Sequence, residues 1–542
     1  MSLGSGADKS GPAMVRYSTG QIWIGRLLKV VYRLLGLFSD LVFGLAYNNR
    51  TEPLPPIRNM VLLESGVSLA RMIRKGKLKS EEVVRSFMER IREVNPILNC
   101  VTEDRFEEAL AEARGVDKLV ASGERSEAEL ERDTPFLGVP FTAKDSIAIR
   151  GLKHTAGLWA RRHCVADEDA AVVRQLRKAG AIPLAHTNVP ELCMWWETSN
   201  KIYGRSCNPY VTTRITGGSS GGEAALLAAA GSPFGLGSDI GGSIRMPCFF
   251  NGIFGHKPTA GVVCNAGQLP LATGELDTFL VTGPMCRHAG DLLPLYRVLA
   301  APNLHLLALD RRASPSQLRF FIMEDDGGFP LSSPVHADVR GGLQRAARLL
   351  EGAHGVRVRP LRLRALFHQL EIWAHKMGSV TEAPSFAAEL RERCGAVRPG
   401  WELFKWCLML SDHTLPALLL ALTERRLPAD TESSRDFLRM CEALKAEFEA
   451  TLGDDGVLLY PSHPTPAPYH LQPLFKGFNF AYTSIFNVLE LPVSQVPLGL
   501  GSWGVPVGAQ VVAARGRDHL TLAVAEELER LAGGWVCPSK IE

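Results

Sequence analysis

No Cys-x-x-Cys pair occurs among the eleven cysteines, and no His-Glu-x-x-His run occurs in the chain. These absences remove the spacing of zinc sites and disulfide frameworks, so no metal and no cofactor are expected and the thiols read as reduced structural residues. Charge of one sign is also missing. A net charge of +3 is too small to imply a polyanionic partner, and no dense basic stripe with interleaved aromatics occurs, so nucleic acid is not an expected ligand. Glycine-rich loops are present, but none ends in the Gly-Lys-Ser/Thr of a P-loop. Gly235-Leu236-Gly237 is followed by Gly241, one residue too late for the dinucleotide fingerprint.

What is present is an ordinary globular balance, 46% apolar and 22% charged over 542 residues, enough to bury a large core. The segment Ile22 to Tyr47 is strongly apolar but is interrupted by Lys29, Arg33 and Asp40. An unambiguous spanning helix needs roughly 20 consecutive apolar residues, so a helix lying in the interface competes with a tilted span, and a membrane anchor of either kind is favoured over a packed core helix. A cleaved signal peptide fits less well, because charges break the apolar centre.

After Pro53-Leu54-Pro55-Pro56 the pattern becomes that of a soluble body. Ser80 before Glu81-Glu82 reads as an N-cap, and Val83, Val84, Phe87, Ile91 and Val94 recur at helical spacing until Asn95-Pro96. Ala181 to Ala185, Gly456 to Tyr460 and Val507 to Val512 read as buried strands between helices, which argues for an α/β layered fold. Trp401 to Leu422 is greasy but divided by Ser411-Asp412-His413-Thr414 and Pro416. Each half is too short to cross a bilayer, so a buried helical hairpin is favoured over a greasy cap near a substrate entrance.

Two Gly/Ser clusters bracket an Ala/Leu helix between Gly217 and Arg245. Ser219 stands where a glycine loop gives way to that helix, near unpaired N–H groups and the positive end of its dipole. The second cluster, Asp239-Ile240-Gly241-Gly242-Ser243, offers backbone N–H groups that can converge on an oxyanion. Gly217-Gly218-Ser219-Ser220-Gly221 also matches the Gly-x-Ser-x-Gly nucleophile elbow, which expects a strand directly before the serine, whereas Asn208 to Arg214 reads as a loop. Lys144 ends the strand-like run Leu137 to Ala143. Buried beside a Gly/Ser site, its ammonium would lose hydration and its pKa would fall, which turns a cation into a base.

The residues Pro140 to Asp145, Thr216 to Gly222 and Asp239 to Arg245 together strongly resemble the amidase signature family, with further landmarks at Thr187-Asn188-Val189-Pro190-Glu191 and Gly504 to Gln510. The resemblance runs from about Leu69 to Leu531. It implies one mixed central sheet covered by helices on both faces, preceded by an anchor region at 1–50 and a linker at 51–68, with an amidase domain at 69–535. It also implies a Ser-Ser-Lys triad in which Lys144 takes a proton from Ser243, Ser243 takes one from Ser219, and Ser219 attacks the carbonyl. The N–H groups of Ile240, Gly241, Gly242 and Ser243 would hold the oxyanion. Ser220 would support by hydrogen bonding, Asp239 and Arg245 would brace the loop, and a cis peptide would precede the relay serine at Gly242-Ser243.

Within the family, the anchor and the Trp/Leu-rich segment after Trp401 look most like membrane-bound fatty-acid amide hydrolases. The expected substrates are then long-chain primary amides and N-acylethanolamines, delivered from an endomembrane or lipid-droplet surface to an apolar channel lined by Met194 and Trp195, with Trp196 nearby. A homodimer is admitted as a partner state. The competing readings are an amidase of small or peptide amides and a catalytically silent membrane scaffold.

Overall fold

The computed structural model describes residues 19–47, 50–311, 313–380, 384–424 and 431–542. The polar stretch before Thr19, expected as the start of the anchor region, lies outside them.

Eleven strands form one sheet: β1 (Val101–Asp104), β2 (Pro140–Lys144), β3 (Ile182–Thr187), β4 (Phe234–Asp239), β5 (Phe254–Lys257), β6 (Val281–Cys286), β7 (Arg319–Ile322), β8 (Val358–Pro360), β9 (Gly456–Tyr460), β10 (Val493–Leu500) and β11 (Pro506–Ala513). Their spatial order is β1-β3-β2-β4-β6-β5-β10-β11-β9-β7-β8. The pairs β3–β2, β2–β4, β9–β7 and β7–β8 are parallel, whereas β1–β3 and the run from β4 through β6, β5, β10 and β11 to β9 are antiparallel. The expected mixed sheet is therefore present. Alternation along the strands feeds two cores: Val457, Leu459, Ala509 and Val511 face one, while Leu458, Tyr460 and Val512 face the other. Strands covered on both faces need continuous apolar runs, which is why β2 and β9 are buried at every position.

The helices that matter here are α1 (Thr19–Tyr47), α2 (Ser80–Leu98), α3 (Gly221–Ala228), α4 (Arg245–Asn251), α5 (Gln369–Gly378), α6 (Pro399–Cys407), α7 (Leu415–Glu424) and α8 (Ala481–Val488). The start of α2 differs from the expected Ser80 cap. Asp117 reaches across to accept the N–H groups of Ser80 and Glu81, while the Ser80 hydroxyl donates to the Gly138 carbonyl. The helix also runs through Pro96 to Leu98, where Asn99 ends it in the left-handed conformation. Within the stretch expected as a linker, Ile57 pairs with Ile541, and Leu54, Ile57 and Leu62 are buried.

Two peripheral pieces are apolar outward. Among the described residues α1 is the one helix long and apolar enough to cross a membrane. It exposes Trp23, Leu27, Leu34, Phe38, Leu41 and Leu45. The hairpin of α6 and α7 corrects the expectation of a buried one. Ala417 and Ala421 pack inward on Leu192, Phe386 and Leu390, but Trp401, Phe404, Leu408, Met409 and Leu410 face outward, Met409 being 90% exposed. The break between the two helices explains this. His413 and Thr414 both bind the Glu191 carboxylate, at 2.7 Å each, which anchors the hairpin by its turn and leaves its far face uncovered.

Candidate active site

Strand β2 carries Lys144 at its C-terminal end and lies beside β4, with Thr142 opposite Gly235 and Ala143 opposite Leu236. This register sets the lysine against the last residues of β4. The side chain is fully buried, and its Nζ donates to Ser219 Oγ at 2.8 Å and to Ser238 Oγ at 3.0 Å. Burial strips hydration from the ammonium and lowers the Lys144 pKa, while the Cys193 thiol and the Asp239 carboxylate pull it partway back. Two hydroxyls can solvate a neutral amine but cannot balance a charge.

Ser219 and Ser220 precede α3, whose first turn packs so closely on the body that a Cβ at Gly222 would lie 2.5 Å from the Asn188 nitrogen. Close approach of this kind admits only glycine. The second loop is tied to the first where Ser220 N–H donates to the Ser243 carbonyl at 3.1 Å. The Ser220 hydroxyl makes a long contact of 3.5 Å to the Ser238 carbonyl. Ser243 lies between β4 and α4 and is 8% exposed, against 1% for Ser219.

This arrangement corrects the expected hydrogen-bond order. Lys144 contacts Ser219, not Ser243, and the non-proline cis peptide lies at Gly218-Ser219, not at Gly242-Ser243. The physical reason is register: Lys144 points along the sheet toward the loop before α3, and Ser243 lies one loop further out. Ser219, expected as the attacking group, is the more enclosed of the two serines.

Asp239 and Arg245, expected to brace the second loop, are paired with each other within it. The Arg245 Nη2 and Nε donate to the Asp239 carboxylate at 2.9 and 3.0 Å, and both side chains are completely buried. Arg245 also donates to Thr483 O, Gln510 Oε1 and Asn487 Oδ1. Burial alone would raise the Asp239 carboxyl, yet the guanidinium and the other donors win and hold it well below the usual carboxylate range.

Asp239 also decides the oxyanion hole. Its Oδ1 accepts the Gly242 N–H at 2.7 Å, so that group, expected as an oxyanion donor, is already used. The N–H groups of Ile240, Gly241 and Ser243 have no acceptor among the described residues. Gly242 itself turns the loop at φ +119°, where a Cβ would meet Thr483 Oγ1 at 2.0 Å.

Met194 and Trp195 lie half-buried on the loop following Glu191. Met194 packs toward Leu192 and the inner face of α7, and the Trp195 carbonyl lies against Gly218. Trp196 is buried with Phe250 and Ala467 in a core cluster. Sequence reasoning did not reach Ser238, whose contact with Lys144 depends on the pairing of β2 and β4. Nor did it reach Glu223, fully buried, bonded by Thr142 and Thr187, and pushed up to about 8 by burial. No group of His, Cys, Asp and Glu able to hold a metal ion occurs among the described residues.

The Amidase family profile matches residues 82–522. The chain is 48% identical to Fatty-acid amide hydrolase 2 from Homo sapiens, covering 96% of this chain and 98% of that protein. It is 47% identical to Fatty-acid amide hydrolase 2-A from Danio rerio, again over 96% and 98%. A solved structure of a fatty acid amide hydrolase shares its fold, with a TM-score of 0.69 at 21% identity, covering 90% of this chain and 87% of that one. A buried lysine bonded to a serine at the head of a glycine loop, a second serine beside free backbone N–H groups, and a family match over most of the body lead to one conclusion: the chain belongs to the amidase family and is an amide hydrolase.

Proposed function

We propose that the protein hydrolyses long-chain fatty-acid amides, primary amides and N-acylethanolamines, with Ser243 as nucleophile, Ser219 as relay and Lys144 as base. The observation that carries this order is the 2.8 Å contact between Lys144 Nζ and Ser219 Oγ, with Ser243 on the adjoining and more accessible loop. An uncharged Lys144 takes the proton of Ser219, Ser219 takes that of Ser243, and Ser243 Oγ attacks the amide carbonyl. The N–H groups of Ile240, Gly241 and Ser243 receive the oxyanion. On collapse the C–N bond breaks, and the proton held by Lys144 returns through Ser219 to the departing nitrogen. Water then enters and bonds the acyl carbon as it passes a proton to the same relay, which returns that proton to Ser243 Oγ when the ester C–O bond breaks and the fatty acid leaves. Because Asp239 and Arg245 fix the loop before substrate binds, the donors need little reorganisation during the reaction.

The lipid assignment is supported by the two relatives above and by the apolar outer faces of α1 and of the α6–α7 hairpin. Such faces are the features expected of a chain that collects its substrate from a lipid surface. We place that surface on an endomembrane or lipid droplet, with residues 69–535 as the amidase domain and a homodimer as an admitted assembly. The test is release of oleic acid from oleamide, set beside hydrolysis of a short aromatic amide, by detergent-solubilised wild type, Ser243→Ala and Lys144→Ala. Oleamide turnover lost in both variants is the expected result. Turnover of the short amide alone removes the lipid assignment, and full activity in Ser243→Ala overturns the mechanism.

A further inference from the structure

The contacts of α1 with the body recur at helical spacing. Lys29 Nζ donates to the Gly328 carbonyl at 2.8 Å, Gly36 faces the Lys476 side chain, and Ser39 accepts from Gln472 at 3.3 Å. Asp40 pairs with Lys476 Nζ at 2.5 Å and also accepts from Gln472. Phe43 meets Phe475 edge-on at 5.9 Å, and Tyr47 stacks on Tyr469 at 5.6 Å. Residues 29, 36, 40, 43 and 47 share one face of an α-helix. The opposite face carries the exposed Leu27, Leu34, Phe38, Leu41 and Leu45. Of the three charges that interrupt the apolar segment, Lys29 and Asp40 are therefore held by the body.

Helix length separates two ways of using such a segment. At 1.5 Å per residue, the docked stretch from Lys29 to Tyr47 occupies about 27 Å of helix. The part of α1 before Lys29 is about 15 Å long, half of the roughly 30 Å hydrocarbon thickness that a span must cross. A docked α1 cannot also cross a bilayer, but its outer face suits a helix lying along one.

The contact also leads to the reacting loop. Lys476, 5% exposed, precedes the short helix Gly477–Phe480. The Gly477 carbonyl accepts from Trp196 Nε1 at 3.2 Å, and Phe480 packs edge-on against Trp373 of α5 at 4.9 Å. Thr483 Oγ1 lies 2.8 Å from the carbonyl oxygens of both Phe480 and Gly241, which share its one hydroxyl proton. A Cβ on Gly241 would touch Phe480, Trp373 and Ser484. A line of direct contacts thus joins Asp40 to the oxyanion loop.

We propose that α1 lies in the plane of a lipid surface, docked along the catalytic body, and that Asp40 and Lys476 are positioning residues coupling it to the segment beside the oxyanion loop. Its kinetic consequence rests on the fatty-amide reading; its topology does not. Removing Asp40 leaves a buried ammonium unpaired and releases the segment around Phe480, whereas replacing both partners with apolar groups removes the charge and the need for its partner.

The experiment uses the full chain in sealed phosphatidylcholine vesicles. An N-terminal protease-cleavable tag is expected on the same side as the catalytic body, and a Phe43→Cys/Phe475→Cys pair is expected to crosslink with a short bismaleimide where neither single variant does. A tag on the opposite side, or absence of the crosslink, overturns the docking. For oleamide, Asp40→Ala is expected to raise KM roughly five- to tenfold with little change in kcat, as for a lost positioning contact. Asp40→Ala/Lys476→Met is expected to recover most of this, and the short aromatic amide is expected to be unaffected. Equal loss on both substrates, or no recovery in the double variant, overturns the coupling. If wild type fails to turn over oleamide, the fatty-amide reading fails, while the tag and crosslink still decide where α1 lies.

Discussion

The loops around Lys144 and the apolar pieces at the periphery use low dielectric in opposite ways. Around Lys144 water is removed by protein, which lowers the lysine pKa, and the buried Asp239 charge is matched by Arg245. On α1 and the α6–α7 hairpin the apolar groups point outward, and the few polar contacts turn inward to the body, through Asp40 with Lys476 and His413 with Glu191. On the proposed reading, one region changes a bond and the other brings a greasy molecule to it. Damage to the first is expected in kcat for every amide, and damage to the second in KM for long-chain amides only.

The sharpest way to break this division is at the reacting groups. Ser243→Ala is expected to lower kcat for oleamide and for a short amide alike, by about 10⁴-fold or more, measured as fatty-acid or amine release. Lys144→Met is expected to lower it by about 10²- to 10⁴-fold. A lowered Lys144 pKa means that the neutral, active form appears as pH rises through a value below that of an ordinary lysine. Wild-type kcat/KM is therefore expected to rise through that limb, which a pH profile of Lys144→Met should lack. The same rise in both proteins would show that another group titrates.

Next in size is the brace. Asp239→Asn leaves Arg245 buried without its counter-charge, and a loss of about 3–5 kcal/mol in stability is expected from chemical denaturation. Ser238→Ala removes one of the two hydroxyls that contact Lys144, and about a tenfold loss of kcat on both substrates is expected, in line with one hydrogen bond to a reacting group. The smallest effect belongs to the periphery. Trp401→Ser with Phe404→Ser on the exposed hairpin face is expected to raise KM for oleamide about threefold and to leave the short amide unchanged. An equal change on both substrates would show that the hairpin face acts on the reacting groups and not on delivery of the long-chain amide.

Much of the fold was legible because strands covered on both faces announce themselves as apolar runs, as β2, β9 and β11 do. The hairpin was legible as two short helices but not in its exposure. Leucine content is the same for a helix in a core and one at a lipid surface, and only the turn that anchors it to Glu191 distinguishes them. The Ser80 cap failed for a similar reason, since Asp117, far along the chain, supplies the acceptor.

By itself the sequence determined which groups are available: Lys144, Ser219 and Ser243, the glycine loops that let backbone approach backbone, and an apolar N-terminal segment broken by charges. Tertiary structure alone decided their order. Lys144 and Ser219 are separated by 75 positions and meet where the end of β2 faces the loop before α3. Asp40 and Lys476 are 436 positions apart. Spacing along a chain constrains neighbours on one helix or strand, whereas hydrogen bonds between elements depend on register and packing, which the whole fold must form before either partner is defined.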